Sequence, residues 1–237
     1  MDETPRGPKN ENESIHGGHR ARLKRRFLAH GLDGFDDHTI LELLLFHAVP
    51  RGDTNPAAHA LLARFGSLAD VFDAPVSELT KVAGVGEASA LLIKLVPQIA
   101  RRHLISRAAD DKTLPSPRAA GEYILPYFFG ERDEVVYMIC LDDRRKVLAT
   151  RLISRGGINS ANVSARKIVE TALSLNASRV ILAHNHLSGA LIPSREDIAA
   201  TKRVSAALRA VDITLDDHII AGIRDFMTFA DNGVPLE

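Results

Sequence analysis

The chain has 237 residues, 45% of them hydrophobic, and its 30 Lys and Arg balance 30 Asp and Glu. That length suits one large domain or two ordinary ones with a core of Leu, Ile, Val and Ala. Zero net charge argues against coating nucleic acid by bulk charge, and a single cysteine, Cys140, excludes both an intrachain disulfide and a Cys-rich zinc site.

The first stretch, residues 1–18, mixes Pro, Gly, Asn and charge without periodicity and reads as a disordered tail. It has no apolar signal-peptide core, and no apolar run is long enough to span a membrane, so the chain reads as soluble and cytoplasmic. Residues 19–105 are helical in pattern. "HRARLKRRFLAHGL" is a basic amphipathic helix stopping near Gly31. "DDHTILELLLFHAV" starts at Asp37 and is ended by Pro50. "NPAAHALLARFG" has Asn55 as cap, Pro56 at its first position and Gly66 beyond its end. "PVSELTKVAGVGEASALLIKL" reads as a short helix, a glycine turn and a longer helix. Residues 106–114 form a charged, Pro-containing linker.

The period changes from residue 115 to 237. "DEVVYMICLDDRRKVLATRLISR" is two strands joined by a charged turn at Asp142 to Arg145. Cys140 lies inside the first apolar run, as a buried thiol does. "SARKIVETALSLNAS" is an amphipathic helix, "RVILAHNH" a short strand, "SREDIAATKRVSAALRAV" a second helix, and "ITLDDHIIAG" a closing strand. This part is mixed α/β and long enough to fold alone.

His184 and His186 stand two apart on an extended segment, so their rings share one side. Two imidazoles and a carboxylate suit a metal that keeps one open position, and Asp197 lies on the next helix's first turn. Ser194 and Asp197 also form a capping-box pair that needs no metal. Spacing alone leaves both readings open.

The four residues His184, His186, Ser194 and Asp197 reproduce the H-x-H, seven residues, S-x-x-D signature of the JAMM (MPN-plus) metalloproteases. "HNHLSGALIPSREDI", "RARLKRRFLAHG", "ILELLLFHAV", "LLARFGSL", "GVGEASALL" and "DHIIAG" resemble the bacterial RadC-like family from His19 to the C-terminus. The resemblance implies a cytidine-deaminase-like mixed sheet flanked by helices, preceded by a small all-α domain with a helix-hairpin-helix-like motif. It implies a zinc-dependent hydrolase of peptide or isopeptide-like amide bonds, with a peptide or protein substrate. His184, His186 and Asp197 would hold Zn2+. Ser194 would hydrogen-bond the tetrahedral intermediate or steady the bound water. Glu134, opening "EVVYMICLD", would be the general base, ahead of Glu131, Glu122 and Glu170. Asp217 and His218 match the family as residues that orient a ligand or the nearby loop.

By the same resemblance, Gly84 and Gly86 form the helix-hairpin-helix turn, whose amides could hold a DNA phosphate beside the basic "HRARLKRR" run. The other reading of the chain is a DNA-associated binding protein whose metal is structural or vestigial. The family's name comes from DNA repair, although none of these residues performs DNA chemistry. The chain departs from the family at Leu187, at Ala190, Leu191 and Ile192, and at Lys167, where the family has Pro, Asp-Pro-Thr and Glu.

Overall fold

The computed structural model describes residues 11–108, 112–156 and 164–236, which fall into two compact units, Met1–Ile99 and Ala100–Glu237. Among the described residues, no helix is long and apolar enough to cross a membrane.

The first unit is helical. Its elements are α1 (Glu11–His30), α2 (Asp37–Leu45), α3 (Asn55–Phe65), α4 (Leu68–Asp73), the single turn α5 (Val76–Leu79) and the start of α6 (Glu87–Ala108). Leu41, Leu45, Leu61, Leu79 and Ile93 are fully buried at its centre. α1 begins at Glu11, inside the stretch expected to lack structure, whose first part, 1–10, lies outside the described residues. The helix boundaries at α2 and α3 shift by one residue: Asp36 and Thr54, rather than Asp37 and Asn55, occupy the cap positions. Neither makes a side-chain cap bond; Asp36 has the extended backbone of a cap residue, whereas Thr54 is already helical in conformation.

α6 runs to Ala108 and crosses the boundary between the units, which the sequence places later, at a linker over 106–114. Part of that linker is structured. Thr113 bridges to Lys146, the Leu114 amide donates to the Arg145 carbonyl, and the Val147 amide donates to the Lys112 carbonyl. Residues 112–114 thus belong to the second unit, and residues 109–111 lie outside the described ones.

The second unit is a five-stranded mixed sheet in the order β2-β1-β3-β4-β5. α7 (Pro117–Ile124) and a following 3-10 turn precede β1 (Val135–Leu141) and β2 (Val147–Arg155). α8 (Ala165–Ser174), β3 (Arg179–Asn185), α9 (Arg195–Arg209), β4 (Thr214–Ala221) and β5 (Phe226–Thr228) follow. The β1–β2 turn forms because Asp142 accepts hydrogen bonds from the amides of Arg144 and Lys146, while Arg145 adopts φ 61°. β3 runs antiparallel to β1 and parallel to β4, the connection between the parallel pair passing through α9.

The central strand β1 is buried along its whole length, so its alternation separates two cores. Val136, Met138 and Cys140 pack with Ile168 of α8 and Val204 and Leu208 of α9. Tyr137, Ile139 and Leu141 face the other way, against Tyr123 and Ile124 of α7. Cys140 is buried as expected, and burial pushes its thiol up to about 11. The sheet is therefore covered by helices on both faces.

Candidate metal centre

The histidines sit where β3 ends. His184 pairs with Val136 of β1, which fixes its ring on the α8/α9 face of the sheet. His186 lies just past the strand, its amide donating to the Ala221 carbonyl of β4. α9 begins over the same strand end because Ser194 caps it. The Ser194 hydroxyl accepts from the Asp197 amide at 3.0 Å, and the Asp197 carboxylate accepts from the Ser194 amide at 2.8 Å. This capping box holds the Asp197 side chain inward, in contact with both histidines.

His184 Nε2 and His186 Nε2 lie 2.9 Å apart, and each is 3.3 Å from an oxygen of Asp197. Together the three side chains can offer ligand atoms within 4.8 Å of one another. The side chains of His184 and Asp197 are 2% and 5% exposed, whereas His186 is 16% exposed, so the group opens to solvent on the His186 side.

The hydrogen bonds around the group dictate which nitrogens carry protons. Thr201 Oγ1 lies 2.6 Å from the Asp197 carbonyl oxygen, and a carbonyl can only accept, so the threonine proton is used there. His218 Nδ1, 2.6 Å from the same Oγ1, must then be the donor to it. Burial pushes His218 well below the ordinary imidazole pKa, so its ring is neutral and its Nε2 bears a lone pair. That lone pair accepts from His184 Nδ1 at 2.8 Å. On the other ring, His186 Nδ1 donates to the Ala190 carbonyl at 2.9 Å. With neutral rings, both Nε2 lone pairs point at Asp197 and at each other.

Two lone-pair nitrogens at this separation beside a carboxylate repel one another unless a cation stands among them. Ligand atoms placed tetrahedrally about 2.0–2.1 Å from zinc lie about 3.3 Å from one another, close to the spacings here. The donor set therefore fits a divalent metal. Burial alone would raise the Asp197 pKa. The amide and hydroxyl of Ser194 both donate to the carboxylate and hold its pKa down. Asp197 is a charged ligand in advance of any metal.

The Ser194 hydroxyl donates to Asp197 Oδ2 at 2.6 Å, so here it orients the carboxylate. Glu134 immediately precedes β1. Continuing the alternation one step beyond the strand puts it on the side of Val136 and His184. The other glutamates are engaged elsewhere. Glu131 is paired with Arg101 and Arg155, Glu122 with Arg118, and Glu170 with Arg166. His218 joins the site through His184, while Asp217 stands behind it, accepting from the amides of His218 and Ala230.

Two residues are missed by sequence reasoning. Thr201 follows Asp197 by one helical turn, which is the signal that could have found it. Asn185 lies between the two histidines and reaches back across the sheet to the amide of Val135. The departing loop costs no ligand, because His186 is oriented by the backbone of Ala190, which any side chain there would present. Lys167 donates to the Ile153 carbonyl.

In the helical unit, Gly84 adopts φ 82°, and a Cβ there would meet that of Ala57 at 3.1 Å. Its absence of a side chain is thus explained by the turn and by α3. A side chain at Gly86 would project into open space. Of the basic run on α1, Arg20 donates to the Pro50 and Gly52 carbonyls and stacks on Phe46, and Arg26 stacks on Phe35. These two arginines serve the unit's own loops.

A family model described as the RadC-like JAB domain matches residues 114–234, about half of the chain.

Proposed function

The chain belongs to the RadC-like JAB domain family, and from that premise we propose that it is a zinc-dependent hydrolase of peptide or isopeptide-like amide bonds. The observation that carries the reading is the convergence of two imidazole lone pairs and the Asp197 carboxylate at one strand end. A mixed nitrogen and oxygen donor set of this kind suits zinc. His184, His186 and Asp197 hold the metal, which supplies an acidified water and a polarised carbonyl when bound.

Each neighbouring side chain then has a task. Glu134 takes the proton of the attacking water and returns it to the leaving amine. Its position on the face that carries His184 supports this, as does the engagement of Glu131, Glu122 and Glu170 with arginines. Ser194 holds Asp197 in its ligating orientation. Thr201 and His218 keep His184 in the tautomer that presents Nε2.

A structural zinc site is usually closed by four protein ligands, and a catalytic one keeps a position open. Here the described residues offer a group of three, with His186 accessible to solvent. That favours catalysis over a purely structural metal in a DNA-associated binding protein. Leu187, Ile192 and Ile223 are exposed on the loops flanking His186, a surroundings suited to an apolar segment of a protein substrate.

The test is a peptide-library cleavage assay with the zinc-loaded full chain. The wild type should cleave amide bonds, while Glu134→Gln should keep its metal and lose at least about 100-fold in rate, the scale of general-base catalysis. Retention of full activity by Glu134→Gln would remove Glu134 from the mechanism. Lack of cleavage by the zinc-loaded wild type would contradict the peptidase reading.

A further inference from the structure

Asn185 stands between the two histidine ligands, 7% exposed, at the last position of β3. Its carboxamide spans two backbone groups of the neighbouring chain segment. Oδ1 accepts from the Val135 amide at 2.7 Å, and Nδ2 donates to the Asp133 carbonyl at 3.1 Å. Those two groups belong to the residues on either side of Glu134. We propose that Asn185 is a positioning residue, which locks the peptide units bracketing Glu134 to the strand that carries His184 and His186. The proposal rests on the reading of Glu134 as general base and adds to it how that base is placed.

The local structure explains why a carboxamide is needed. The regular pairing of β1 with β3 reaches Val136 and His184 and goes no further. Beyond it the two chains have to stay together without ladder bonds, at the position where the base and the ligands face one another. A carboxamide offers one acceptor and one donor from a single planar group. It therefore satisfies an N–H and a C=O that bracket one residue. A carboxylate has no donor for Asp133, and an aliphatic side chain would leave two backbone groups unpaired beside the core.

On its other side β3 is held by β4, with Asn185 paired to Ala221. The Glu134 carbonyl accepts from the Gly156 amide, which continues the β2 side of the sheet. The backbone at Glu134 is thus tied to its neighbours on both sides, and among the described residues the tie toward the metal ligands is made by the Asn185 side chain. General-base catalysis depends on this kind of placement, since an error of about 1 Å costs about 100-fold in rate.

A double-mutant cycle in the full chain distinguishes positioning from ordinary structural support. The variants are Asn185→Ala, Glu134→Gln and both together, loaded with Co2+ as the probe. Two quantities are read: the metal bound per chain, and the pH midpoint of the change in the cobalt visible spectrum. Asn185→Ala should bind metal as the wild type does and shift the midpoint in the same direction as Glu134→Gln. The double variant should shift no further than Glu134→Gln alone. Where a cleavable peptide is in hand, Asn185→Ala should also lose about 100-fold in kcat and add nothing to the loss in Glu134→Gln. Should Asn185→Ala fail to fold, Asn185→Asp keeps the bond to Val135, loses only the donor to Asp133, and is read in the same way. A wild-type midpoint in the Asn185 variant, or shifts that simply add, would overturn the proposal. If Glu134→Gln itself leaves the midpoint unmoved, the general-base reading fails and takes this one with it.

Discussion

His184 Nδ1 lies 2.8 Å from His218 Nε2, and that contact determines which nitrogen of His184 is free to bind a metal. The chain of bonds behind it ends at Thr201, whose hydroxyl is held by the Asp197 carbonyl. The polarity of a ligand is therefore set from the first turns of the helix that carries another ligand.

Thr201→Val should break this chain. His218 would lose its Nδ1 acceptor and could carry its proton on Nε2, which would drive the His184 proton onto the ligating nitrogen. Loss of such an orienting partner typically weakens metal binding by about 10–100-fold. Zinc affinity, measured by competition with a chelator at fixed pH, should fall by that factor while circular dichroism stays unchanged. Wild-type affinity in Thr201→Val would show that the tautomer is set by another contact.

Asp217 supplies a pH dependence of stability. Burial raises its carboxyl from 3.8 to about 6, a rise only partly opposed by hydrogen bonds from the amides of Ala230 and His218. An acid whose folded pKa exceeds its unfolded one favours the folded state when protonated. Its contribution is full below about 4 and is lost as pH rises through about 6, on the order of 3 kcal/mol in total. A carboxamide in its place cannot titrate and retains an oxygen acceptor for the two amides, so the Asp217→Asn variant should lack this component. The difference in urea midpoint, variant minus wild type, should grow from pH 4 to pH 6 and then level off. A difference that does not change with pH would contradict the buried-carboxyl account.

Gly121 of α7 packs against the Phe226 ring of β5, and a Cβ there would lie 1.9 Å from it. Gly121→Ala should destabilise the second unit by about 1–3 kcal/mol, the usual cost of overpacking. Thermal unfolding should show a lower transition temperature. An unchanged temperature would mean that Phe226 swings away freely.

The parts of the molecule legible in the sequence are those fixed locally. The Asp142 to Arg145 turn, the strand ending in the histidine pair and the Ser194–Asp197 cap each depend on residues a few positions apart. The sequence already allows one turn to serve as both capping box and metal ligand, and the atoms show how: Asp197 Oδ2 accepts from Ser194 while Oδ1 lies toward His184. What cannot be read is what depends on chain segments far apart. Asn185 bonds residues about fifty positions away, and Thr201 meets His218 only because α9 crosses the sheet above β4. The division between the units after Ile99 also falls inside α6, whose helix-favouring run continues to Ala108 and leaves no mark there in the composition.

His184, His186 and Asp197 are proposed to bind one divalent metal ion, and every role assigned to their neighbours depends on it. The most direct measurement is elemental analysis of the purified full chain after dialysis against metal-free buffer, beside His184→Ala and Asp197→Ala. The wild type should hold about one equivalent of zinc per chain, consistent with a single three-ligand centre, and either variant almost none. Equal metal content in all three proteins, or none in a folded wild type given excess zinc, would contradict the metal centre.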